Sequence, residues 1–114
     1  MKYLLTLYDS ATAASDSVTS PFPQHEPLPA DDFRRWCDAN NVEILVGEQV
    51  FPAETATTLH LHDGEWVVTD GPIHTSEVRL DGVVVIKCEH ADLALAAARQ
   101  LPYKGACELR PIIG

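Results

Sequence analysis

The chain has 114 residues, enough for one domain with a single core but with a large surface relative to its volume, so stabilisation by self-association is expected. Eight Lys and Arg stand against 17 Asp and Glu, a formal charge of -9, which repels phosphate backbones and anionic lipid and argues against direct nucleic-acid or membrane-surface binding. Three widely spaced cysteines, Cys37, Cys88 and Cys107, odd in number and without a CxxC pair, suggest neither a disulfide framework nor a zinc knuckle and suit a reducing cytoplasm.

Lys2 to Tyr8 is apolar in alternate and intervening positions and reads as a strand covered on both faces. Thr6, Tyr8 and Asp9 interrupt it too early for a signal-peptide core. No stretch reaches the about 18 apolar residues of a membrane span. Asp9 to Pro29, with Pro21, Pro23, Pro27 and Pro29, reads as a long extended loop without a core of its own. Asp31 and Asp32 then open a short helix at the end where the dipole favours anions, Phe33, Trp36 and Cys37 form its apolar stripe, and Asn40-Asn41 is a left-handed stop. Val42 to Val50 is the second strand, with Gly47-Glu48 where backbone approaches closely.

Asp63-Gly64 is a two-residue turn signal between Thr57 to His62 and Glu65 to Asp70. It predicts a hairpin with Leu61 opposite Trp66, Leu59 opposite Val68 and Thr57 opposite Asp70, so that Asp70 ends an apolar ridge of Leu59, Leu61, Trp66 and Val68. Val83 to Ile86 is β-branched throughout and reads as a strand buried on both faces. An Ala-rich helix follows from about Ala91 to Leu101, stopped by Pro102. Ala106 to Arg110 alternates Cys107 and Leu109 against Glu108 and Arg110, a strand with one apolar and one charged face. The order strand, helix, strand, hairpin, strand, helix, strand predicts an α+β, ferredoxin-like single domain with an inserted β-hairpin. Both helices are expected on one sheet face, leaving the other to be covered by a second copy of the chain.

Several residues carry candidate chemistry, each beside a plainer role. Asp70, on an apolar face, is the first candidate acid or base; in Asp-Gly-Pro it also serves as an ordinary turn acceptor. His74, four residues on, would supply an imidazole to that carboxylate or stand as a surface histidine. Glu48 and Glu77 are either further ligand-binding carboxylates or turn acceptors. Arg110 either holds an anionic ligand or pairs with Glu108. His60 and His62 share a strand face but lack a third ligand nearby, so a solvated face is favoured over a metal site. The cysteines have no basic neighbours and read as core or helix-face residues, and no Gly-x-Ser-x-Gly elbow is present.

From Phe33 to Pro111 the chain resembles the DGPF branch of the YCII-related superfamily. The shared elements are Gly47-Glu48, Pro52 with Thr55 to Thr58, Val68-Thr69-Asp70-Gly71-Pro72-Ile73, Thr75 to Glu77, Leu101-Pro102 and Glu108-Leu109-Arg110-Pro111; Met1-Lys2-Tyr3 and Tyr8 match as well. Ile73 replaces the motif's Phe, His74 its acidic residue, Ser76 its Lys and Asp81 one Gly, and the helix-one histidine of the YCII branch has no counterpart, since His25 lies upstream in the Pro-rich loop. The resemblance implies a dimeric α/β barrel in which two sheets face each other around a cavity. It also implies one of two roles, an enzyme using a His and Asp pair or a companion of sigma factors.

Two functions follow as expectations. The first is a cytoplasmic homodimer binding a small polar or anionic molecule, with Tyr8, Glu48, Glu77 and Arg110 as recognition groups and Asp70 with His74 as a proton-transfer pair of isomerase or lyase type, needing no cofactor and no metal. The second is a non-catalytic regulatory or protein-interaction module linked to transcription initiation through a protein partner.

Overall fold

A computed structural model describes residues 1–10, 31–73, 78–101 and 105–114. The predicted Pro-rich loop beyond Ser10, with His25, the segment carrying His74 and Glu77, and Pro102 lie outside the described residues, while Asp9 and Ser10, expected in that loop, extend the first strand. The fold is α+β. In chain order come β1 (Lys2–Ser10), α1 (Asp31–Ala39), β2 (Glu43–Gln49), a 3-10 turn (Ala53–Thr55), β3 (Thr57–His62), β4 (Glu65–Asp70), β5 (Val78–Lys87), α2 (Ala91–Ala98) and β6 (Ala106–Pro111).

Four strands form an antiparallel sheet in the order β2-β5-β1-β6, which is compatible with a ferredoxin-like fold. Alternation along β1 and β5 sends Tyr3, Leu5, Leu7, Val84 and Ile86 to one face, where they are buried against Phe33 and Cys37 of α1 and Ala94 and Ala97 of α2. The small side chains of α2 let it lie close to the strands, and complete burial of a leucine such as Leu5 contributes roughly 2 kcal/mol or more.

Each helix end has its own chemistry. Asn40 donates its side-chain amide to the Trp36 carbonyl at 2.7 Å, Asn41 adopts the left-handed φ of 58°, and the Val42 N–H closes on the Cys37 carbonyl at 2.9 Å. At the start of α2, His90 Nδ1 accepts the Leu93 N–H at 3.1 Å. The helix proper ends at Ala98 rather than at Leu101; Leu101 is nevertheless buried against the core.

Two irregularities set what the opposite sheet face displays. In β2 the pairing shifts between Ile44 and Val46, with Leu45 as the extra residue. Ile44 therefore packs toward the helices opposite Ile86, whereas Val46 lies on the open face opposite Val85. A second shift, between Leu7 and Tyr8, leaves Asp81 as the extra residue of β5. Across the open face run the rows Val46, Val85, Leu4, Arg110 and Glu48, Val83, Thr6, Glu108. The central positions Leu4, Val83 and Val85 are apolar and only half-buried, and the fourth is Thr6, whose hydroxyl faces the Glu108 carbonyl.

β3 and β4 pair apart from this sheet, in the register that the Asp63-Gly64 turn predicts: Leu61 opposite Trp66, Leu59 opposite Val68, Thr57 opposite Asp70. Both turn residues have positive φ, 49° for Asp63 and 80° for Gly64, which matches the right-handed twist of the flanking strands. One face of this ribbon carries Leu59, Leu61, Trp66 and Val68, all more than half exposed in the single chain. Among the described residues, no helix is long and apolar enough to cross a membrane.

Candidate functional site

The ribbon is tied down at its base. Gly71 donates its N–H to the Ala56 carbonyl at 2.7 Å, and the Thr58 hydroxyl donates to the Gly71 carbonyl at 2.7 Å. With φ at 101°, Gly71 occupies a conformation that a side-chain-bearing residue adopts only under strain. The sequence Asp70-Gly71-Pro72 thus makes a fixed corner where β4 leaves the ribbon.

Behind that corner lies a cavity of about 820 Å³ at the end of the four-stranded sheet. Tyr8 and Leu80, partners across β1 and β5, form one part of its wall. The connector after β2 supplies Val50, Phe51 and Pro52, while Thr58, Pro72 and Ile73 close it from the ribbon base. The connector is held by the Val50 N–H on the Asp81 carbonyl at 2.9 Å and by the Thr55 hydroxyl on the Pro52 carbonyl at 2.7 Å. Arg79 is the one charged residue on the wall, among the described residues, and its Nη1 donates to Glu54 of the 3-10 turn. The Glu54 carboxyl is held below its usual range, first by a hydrogen bond from its own backbone N–H and then by Arg79.

The residues singled out by sequence are distributed as follows. Tyr8 is on the cavity wall. Asp70 stands at the corner but is exposed and does not line the cavity. Glu48 and Arg110 share the open sheet face but sit on its two outer strands and in different rows, three strand spacings and thus more than roughly 14 Å apart. Arg110 Nε donates to Glu108 Oε1 at 2.5 Å, so the pairing alternative is the one present in this chain. His74 and Glu77 are outside the described residues. His62 Nε2 lies 3.4 Å from Asp63 Oδ2, and no group of three or more metal-ligating side chains gathers among the described residues.

Glu54, Phe51 and Arg79 were not read from the sequence as site residues. Arg79 had one available signal, a cation just ahead of the apolar run Val83 to Ile86 in the same strand. Glu54 lies 25 residues earlier, and only the return of β5 alongside the connector brings the two together.

No family model matches the chain. An uncharacterized protein of Rhizobium meliloti (strain 1021) is 37% identical to it over 83 residues, 69% of this chain and 65% of that protein. The chain therefore spans slightly less than two thirds of that relative's length.

Proposed function

We propose that this chain is a DGPF-type, YCII-related protein of the cytoplasm that pairs with a second copy as a dimeric α/β barrel with the β3–β4 hairpin inserted, and binds a small organic molecule beside the Asp-Gly-Pro corner. The observation that carries the ligand reading is the cavity itself, since about 820 Å³ with a mostly apolar wall and a few polar groups is the size and character of a small-molecule site. Its wall includes the residues that flank the family-like corner, Thr58, Pro72 and Ile73. Dimerisation is supported by half-buried Leu4, Val83 and Val85 at the centre of the open sheet face and by the exposed ridge of the ribbon, apolar surface left in water by one chain.

In the catalytic form of this reading, a second sheet closes a chamber that extends the cavity to Asp70 and the open sheet face; Asp70 with His74 then moves a proton on the bound molecule without a cofactor, and Glu48, Glu77 and Arg110 recognise its polar groups. A thermal-shift screen of small organic acids, amides and alcohols is expected to raise the melting temperature with at least one compound, whose NMR perturbations centre on Tyr8, Phe51 and Ile73. Perturbations confined to other parts of the molecule would remove the site. Any turnover found is expected to fall by roughly 100-fold or more in Asp70→Asn, with binding retained. The exposed Trp66 ridge supports a second reading, a non-catalytic protein-interaction module linked indirectly to transcription initiation. That reading predicts a protein partner whose capture is lost in Trp66→Glu while the cavity binds none of the screened compounds.

A further inference from the structure

We infer that the cavity takes a carboxylate on an apolar body, seated by Arg79, with Glu54 as the resident counter-ion that the ligand displaces. The inference rests on the cavity being a ligand site and adds the chemical class of its occupant.

The wall selects the body of the ligand first. Val50, Phe51, Pro52, Ile73 and Leu80 present hydrocarbon, and Phe51 and Ile73 are 55% and 72% exposed in the chain as it stands, so an apolar occupant removes their surface from water. The head group is selected by the one charge on the wall. Arg79 is the deeper member of its ion pair: its side chain is 36% exposed, that of Glu54 65%. Glu54 does not itself line the cavity. Its carboxylate engages Nη1, and among the described residues Nε and Nη2 of Arg79 have no partner, so the planar fork offers an incoming carboxylate a first hold before Glu54 gives way at Nη1. Tyr8, also on the wall, carries a phenol hydroxyl that can serve as a further donor.

Magnitudes favour exchange. A solvent-exposed pair such as Arg79 with Glu54 contributes little, so giving it up for a ligand carboxylate costs little. The ligand's carboxylate keeps the hydrogen bonds to the guanidinium and brings apolar burial that Glu54 cannot. A phosphate head is disfavoured, because its second charge meets Glu54 nearby and a chain of net charge -9, whereas a single carboxylate matches a single cation. Charges beyond about 8 Å are largely screened at physiological salt, so the acidic surface as a whole does not exclude a monoanion from a local cation.

The test compares 4-phenylbutanoate with 4-phenylbutanamide, equal in shape and different in charge, by NMR titration of the full chain. The acid is expected to bind at least about tenfold more tightly than the amide, as a hydrogen bond to a charged group warrants. Arg79→Gln is expected to abolish that preference while leaving amide binding and its perturbations at Phe51 and Ile73 unchanged. Glu54→Gln is expected to tighten the acid by roughly threefold and not the amide, because the competing carboxylate is gone; this gain cannot come from misfolding. Equal binding of acid and amide overturns the carboxylate assignment and leaves the cavity as a ligand site. A preference that survives Arg79→Gln overturns the role of Arg79. Binding of neither probe in the cavity overturns both the inference and the ligand reading on which it rests.

Discussion

Cys37 shows how burial acts on one side chain. It faces the core from α1, fully buried, and loss of solvation, followed by the nearby Asp38 and Cys88, pushes its thiol up to about 11 from an ordinary 9.0. In the unfolded chain the thiol ionises near its ordinary value, while in the folded chain it stays protonated to higher pH. The folded state therefore holds more protons between these values, and stability falls as pH rises from about 9 to about 11. Urea titrations across that interval are expected to show a smaller decline for Cys37→Ala than for the parent chain, once the lower starting stability of the cavity-bearing variant is subtracted. The sequence made Cys37 legible as core by its spacing from Phe33, but its ionisation depends on strands that the local pattern does not show.

At the scale of elements, the ends of α2 and the turn of the ribbon make contrasting cases. His90 caps α2 through Nδ1, a role usually taken by Ser, Thr, Asn or Asp, and no sequence rule for caps singles it out. His90→Asn is expected to retain stability and His90→Ala to lose about 1 kcal/mol, measured by chemical denaturation. Asp63-Gly64, by contrast, was readable because φ above zero at two successive positions is what that dipeptide accommodates. Although a Cβ at Gly64 would meet nothing within 4 Å, its φ of 80° makes Gly64→Ala strained by about 1 kcal/mol. Faster amide exchange confined to Leu61 through Val68 is the expected signature, because the ribbon is anchored to the rest of the chain at its base.

For the whole molecule, the decisive feature is apolar surface that one chain leaves uncovered. Leu59, Leu61, Trp66 and Val68 lie side by side on a two-stranded ribbon, an element only marginally stable in water by itself. The open sheet face adds Leu4, Val83 and Val85. Sedimentation equilibrium is expected to give twice the chain mass, and Val85→Glu on the open face or Trp66→Glu on the ribbon to shift the equilibrium toward single chains by at least roughly tenfold, as for a central aromatic or aliphatic interface contact. A parent chain that sediments as a monomer at high micromolar concentration would contradict the barrel arrangement.

Local periodicity alone determined the α+β class, the two helices, the paired strands of the ribbon and the alternation that separates Cys107 and Leu109 from Glu108 and Arg110. Those features arise from interactions within a few residues, or from a two-residue turn that fixes its own register. The cavity was decided only by the tertiary structure, because its wall joins β1, the connector after β2, the ribbon base and the start of β5. So was the pairing of Arg79 with Glu54, along with the Leu45 irregularity that turns Val46 to the open face. These depend on how strands distant in sequence align, and such alignment is set by packing across the sheet rather than by the residues on either side of each position.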